Sequence, residues 1–324
     1  MKSMLNPRWV VVFLGCLLGP TAVAYGQFGV PRQFQGQSPL GAETERTQRW
    51  MVGIRVVAAR GPCAGIYGTF PVPVDWPEQD VKVVDEKVSD TVRSTQIRNL
   101  PDGVRQMVIV APQLNYGEQA EAVFTFEITR RTQPVPEDTT IFKVPRSTSR
   151  EIRKCLASSP MIDVRSTKVR MKAKELTADR ETAWGKVEAI HDWIKENVEH
   201  TNDPLRGALE TLGTQKGNHE DLANLFIALC RAAKVPARTV WVPNYCYAEF
   251  YLEGEAGEGI WVPCELKEET VFGTVSRPYM ILQKGDNIQV PEKKERQRFV
   301  PELLKVKKGS QPKVEFVRQN LGIK

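Results

Sequence analysis

The sequence predicts an α+β protein, with an N-terminal β-sandwich followed by a second domain that joins helices to an antiparallel meander. Three observations carry this. Short alternating β-branched and aromatic runs fill residues 49–131, apolar residues at three- and four-residue steps replace them beyond Ser149, and alternating runs return after Pro236. The chain has 324 residues, 41% hydrophobic and 26% charged, which is enough for two domains with a core each. That composition excludes collagen-like, disulfide-knot and wholly disordered chains.

Residues 1–24 read as a signal peptide. Lys2 and Arg8 precede the apolar run at 9–18, and Ala22-Val23-Ala24 supplies a small-residue cleavage site. The run is too short to cross a bilayer, which takes about 20 apolar residues. Phe13-Leu14-Gly15-Cys16 loosely resembles a lipobox, but only five apolar residues precede it, so cleavage after Ala24 is preferred to lipidation of Cys16. Cleavage removes Lys2 and Arg8 and lowers the net charge from +6 to +4. The expected location is secreted or periplasmic, with no membrane span.

Residues 25–46 are rich in Gly, Gln and Pro without a period and read as a flexible lead-in. The sandwich is assigned to 47–146. Its strands include Val108-Ile109-Val110 and 122–129, and Pro101-Asp102-Gly103 and Asn115-Tyr116-Gly117 supply the breaks. The second domain is assigned to 147–290. There Ala183, Val187, Ile190, Ile194 and Val198 form one helical stripe, which Trp184 and Trp193 are expected to flank. Leu222, Leu225, Phe226 and Leu229 form another, ended by Pro236, and strands are expected at 239–243, 245–252 and 260–265. Residues 291–324 read as a charged C-terminal strand and tail. The basic runs there are short, and they read as solvated surface rather than a nucleic-acid footprint.

Within residues 216–266 several motifs fall in order. A helix start Gly217-Asn218-His219-Glu220-Asp221 leads to an apolar helix ending Cys230-Arg231-Ala232-Ala233. Val235-Pro236-Ala237-Arg238 follows, then Tyr245 four residues before Glu249, then Trp261-Val262-Pro263-Cys264-Glu265. This stretch resembles the bacterial transglutaminase-like superfamily, whose fold is related to papain-type cysteine peptidases. The resemblance implies a papain-like second domain. It also implies that the family's nucleophilic cysteine, histidine and aspartate fall at His219, Tyr245 and Glu265, so that all three are substituted. Such catalysis needs a thiolate paired with an imidazole. An imidazole is a poor acyl-transfer nucleophile, and a phenol of ordinary pKa about 10 is a poor base near neutrality.

Cleavage of the leader leaves Cys63, Cys155, Cys230, Cys246 and Cys264, an odd number that leaves a thiol available for an intermolecular disulfide. If Tyr245 faces Glu265 across an antiparallel pair, Cys246 and Cys264 are cross-strand neighbours on the opposite face, as a buried pair or disulfide rather than a relocated nucleophile. Arg231 and Arg238 read as ion pairs that support the fold, Glu220 and Asp221 as first-turn helix caps, and His191 and His200 as core or surface. No cofactor is implied, and three histidines make a metal site unexpected.

The leading functional expectation is a pseudoenzyme whose former cleft binds a peptide or protein segment, with no nucleic acid involved. The alternatives are an active amide hydrolase or acyl transferase with a non-standard residue set, and a structural envelope or extracellular component.

Overall fold

The computed structural model describes residues 44–132, 134–146 and 148–323. The leader at 1–24 and most of the lead-in lie outside these. Residues 44–46, read as lead-in, already belong to the first strand.

Six strands open the described chain: β1 (Thr44–Val57), β2 (Cys63–Val72), β3 (Gln79–Val88), β4 (Ser94–Asn99), β5 (Arg105–Leu114) and β6 (Gln119–Thr132). Both expected breaks hold. Residues 101–103 form a short 3-10 turn between β4 and β5 with Asp102 and Gly103 at positive φ, and Gly117 turns the chain from β5 into β6 at φ +82°. The inward faces meet in one core, with Val52, Ile54 and Val56 of β1 against Ile66, Phe70, Ile109, Phe124, Phe126 and Ile128.

The helices follow: α1 (Arg150–Lys154), α2 (Thr167–Thr177), α3 (Ala183–Asn197), then β7 (Glu199–His200), α4 (Ala208–Thr214), β8 (Lys216–Gly217) and α5 (His219–Ala232). Helix α3 starts where Thr182 Oγ1 accepts from the Gly185 N–H. Trp184 does not flank its buried stripe but belongs to it, 3% exposed, with ring centroids 5.1–5.8 Å from Phe142, Phe250 and Phe272. Helix α5 starts in a reciprocal capping box between Asn218 and Asp221, and it ends where Lys234 takes φ +70° just ahead of Pro236. Leu225, Phe226 and Leu229 are fully buried on α5, each contributing roughly 1.5–3 kcal/mol of transfer free energy.

The meander is β9 (Ala237–Val242), β10 (Tyr245–Glu253) and β11 (Gly259–Cys264), joined by β12 (Gln283–Lys284) in the order β11-β10-β9-β12. The even residues Ala248, Phe250 and Leu252 of β10 share the core of α3 and α5, while Tyr245 and Tyr247 cluster on the other face with Val240, Val242 and Ile281. The chain closes with β13 (Leu303–Lys305), β14 (Lys308–Gly309) and β15 (Lys313–Ile323).

These last strands return to the sandwich. β15 pairs antiparallel with β1 in a sheet of order β15-β1-β6-β3, and β13 and β14 pair with β2 beside β5 and β4. The sandwich is therefore built from both ends of the described residues. Residues of the second domain also enter it, since Met280 and Leu282 lie in the sandwich core while Ile281 clusters with Tyr247.

Candidate functional site

Two short elements set the histidines of the site. β7 and β8 pair in parallel, His200 opposite Gly217, which brings His200 alongside the start of α5. Its ring stacks on His219 with centroids 3.9 Å apart and planes 31° apart. Gly217 is required here, because a Cβ would come within 2.6 Å of Asp221 Cβ. Asp221 itself is fully buried and accepts from the N–H groups of Arg206, Gly207 and Asn218, so it ties the loop before α4 to the start of α5. Its role is structural, as a cap and a loop anchor.

His219 meets Tyr245 edge to face at 5.3 Å and 80°. Tyr245 lies beside Tyr279, ring centroids 5.7 Å apart. Lys267 enters between these rings and Glu265, its Nζ 4.2 Å from the Tyr245 centroid and 2.7 Å from Glu265 Oε1. Nζ also donates to the Tyr279 hydroxyl at 2.6 Å, and that hydroxyl donates to Glu265 Oε1 at 2.9 Å. The other carboxylate oxygen accepts from the Ser276 N–H at 2.6 Å and the Thr270 hydroxyl at 3.4 Å. His219, Tyr245 and Glu265 thus converge, with Lys267 as the link.

The protonation states follow from this geometry. Burial would raise the Glu265 carboxyl, but hydrogen bonds from Lys267, Ser276 and Tyr279 outweigh it and hold the group below the usual carboxylate range. Burial opposes the Lys267 ammonium, and Glu265 with Tyr279 more than offsets that, so its pKa is raised. Burial first, then the charge of Glu265, pushes the Tyr245 phenol well up. Partial burial of the His219 ring, then His200 and Lys267, lower its imidazole, with Glu265 opposing. Near pH 7 the corner holds a neutral imidazole, a neutral phenol and an ammonium–carboxylate pair.

The expected thiol pair does not form. β10 and β11 pair with Ala248 opposite Cys264 and Glu253 opposite Gly259, two residues off the expected register. The five-residue turn at 254–258 sets that offset, with the Gly254 N–H bonded to Glu258 O and Gly257 at φ +82°. Cys246 instead faces Trp241 on β9. An even shift preserves the face but changes the partner. The five described cysteines are free, and all but the half-buried Cys155 are buried. Burial raises every one of these thiols, Cys155 to about 11.

Residues 170–266 match the family model of the transglutaminase-like superfamily. The chain contains a transglutaminase-like domain. An uncharacterized protein of Haemophilus influenzae is 33% identical over 116 aligned residues, covering 25% of this chain and 30% of that protein. The chain thus matches under a third of that relative's length. A crystal structure from Cytophaga hutchinsonii, provisionally named a cysteine protease, superposes with a TM-score of 0.56 at 17% identity, over 86% of this chain and 93% of that one. At that identity the likeness concerns the fold, and it extends beyond the transglutaminase-like domain into the sandwich.

The transglutaminase-like domain uses its arginines as the sequence suggested. Arg231 pairs with buried Asp286 at 2.7 Å, and Arg238 pairs with Glu249 at 2.9 Å while covering the Trp261 ring. Glu220 is not only a first-turn residue, since it pairs with Arg298. His191 is buried against Phe272, a core role, whereas His200 belongs to the site. Sequence reasoning missed Lys267, Ser276 and Tyr279. Lys267 lies beyond the end of β11, where strand alternation no longer places a side chain. Tyr279 had no local signal either, because sandwich residues deliver it: Gln48 Nε2 donates to Pro278 O, Arg130 Nε to Tyr279 O, and Gln79 bonds both Ile281 backbone groups.

Among the described residues no helix is long and apolar enough to cross a membrane, and no group of three or more His, Cys, Asp or Glu is placed to hold a metal.

Proposed function

We propose that the chain is a secreted transglutaminase-like protein whose former active-site cleft is catalytically degenerate and binds a peptide or protein segment. The observation that carries the reading is the commitment of Glu265. Its two oxygens are taken up by Lys267, Tyr279, Ser276 and Thr270, so it is not free to orient a general base. The positions that the resemblance assigns to Cys, His and Asp carry His219, Tyr245 and Glu265, and the described thiols are held protonated at neutral pH. What remains suits recognition, with exposed His200 and His219 at the helix start beside the half-buried rings of Tyr245 and Tyr279. Secretion rests on the leader-like sequence at 1–24, and N-terminal sequencing of the mature protein should begin at Tyr25.

The test combines turnover with binding. Peptide-amide hydrolysis and transamidation should be absent in wild type, while a peptide-array ligand should lose at least about tenfold in affinity with His219→Ala or Tyr245→Ala. Turnover that disappears with His219→Ala or Cys246→Ala would instead establish an active hydrolase with a non-standard residue set.

A further inference from the structure

Lys267 occupies the center of the site as a ligand would. Its ammonium is 4.2 Å from the Tyr245 centroid and 5.3 Å from that of Tyr279, is paired with Glu265, and is bonded to the Tyr279 hydroxyl. One aromatic face, that of Tyr245, a buried carboxylate and the Tyr279 hydroxyl as acceptor together form a receptor for a cation. Lys267 is not itself locked in. Its side chain is 28% exposed, it lies beyond the end of β11, and the exposed His219 imidazole meets the Tyr245 ring beside it. The Ser276 N–H and the Tyr279 hydroxyl also donate to Glu265, so the carboxylate has hydrogen-bond donors other than Lys267.

We infer that the Tyr245–Tyr279–Glu265 corner is an ammonium-binding site, filled in the free protein by Lys267 and taken over by a primary ammonium of lysine type from a partner segment. The ligand is held as an ion and no covalent bond forms. A primary ammonium is preferred to a quaternary one, because Glu265 Oε1 and the Tyr279 oxygen accept N–H donors that a quaternary ion lacks. Lys267 acts as a tethered competitor, and a partner gains the corner only when its remaining contacts along the cleft offset displacement of that side chain. The inference rests on the reading of the cleft as a binding site.

The test is titration with n-butylamine hydrochloride, followed by NMR shifts of the tyrosine rings. Lys267→Met should bind n-butylammonium at least about tenfold more tightly than wild type, and adding Glu265→Gln should abolish that gain. n-Butanol should not bind, and tetramethylammonium should bind more weakly than n-butylammonium. Lys267→Ser empties the same corner and replaces Lys267→Met if that variant does not fold, with circular dichroism and Tm reporting the fold. A folded Lys267 variant no better than wild type for n-butylammonium, or equally good for n-butanol, overturns the inference. Gain of n-butylammonium binding with no peptide ligand on the array would overturn the peptide reading alone. A peptide ligand that is indifferent to Lys267 would leave that reading intact and remove this one.

Discussion

The imidazole of His200 stacks on that of His219, centroids 3.9 Å apart, although nineteen positions separate them in the chain. The pair has a consequence in pH. Burial and then the neighboring His200 lower His219 from its ordinary value near 6.5. A histidine depressed in the folded state binds fewer protons than in the unfolded chain. Its contribution to stability is complete above the unfolded pKa and is lost as pH falls through the folded one. NMR titration should place His219 below the ordinary histidine value, and His200→Ala should move it upward.

Glu265→Gln should destabilize the fold by about 1–3 kcal/mol, because Lys267 loses its charged partner and the Ser276 N–H a charged acceptor. Urea denaturation at pH 7 measures this. Since the folded carboxyl is lowered, its contribution is present above the unfolded value of about 4.3 and is lost as pH falls toward the folded pKa. The gap between wild type and variant should therefore narrow on acidification below pH 4.

Iodoacetamide should react slowly with the native protein. Cys155 is half-buried and should be modified first, yet at pH 7.5 its rate should stay below that of free cysteine, because burial pushes its thiol up to about 11. Cys230, Cys246 and Cys264 should react only after unfolding. Peptide mapping by mass spectrometry identifies the sites in order.

Gln79→Ala should cost about 2–4 kcal/mol and loosen the site as well. The buried amide bonds the carbonyls of Val74 and Ile281 and accepts from the Ile281 N–H, and its loss leaves these groups unpaired. Hydrogen exchange should rise at Ser276 and Ile281, far from residue 79 in sequence, as well as at the site of substitution.

Gly217→Ala should destabilize by about 1–3 kcal/mol through collision with Asp221, with a lower Tm as the readout. The glycine of the motif serves packing at the start of α5.

Much of the fold is legible in the residues. Apolar spacing on α5 with its Asn218–Asp221 cap, alternation along β10, and turn residues at 101–103 and 115–117 are local signals. They specify elements because each side chain's demand is met within a few positions. The roles of Arg231 and Arg238 were equally legible, since a guanidinium withdrawn from water, wholly at Arg231 and partly at Arg238, needs a carboxylate.

The sequence by itself determined the element types, the transglutaminase-like order of motifs, and the residue types at 219, 245 and 265. Tertiary structure alone decided the partners. The 254–258 turn fixed a register that separated Cys246 from Cys264, the pairing of β7 with β8 brought His200 to His219, and Gln48, Gln79 and Arg130 carried Tyr279 onto Glu265. Helical and strand periods are set by neighbors along the chain. These contacts instead join residues far apart in sequence, and no periodicity reaches that far.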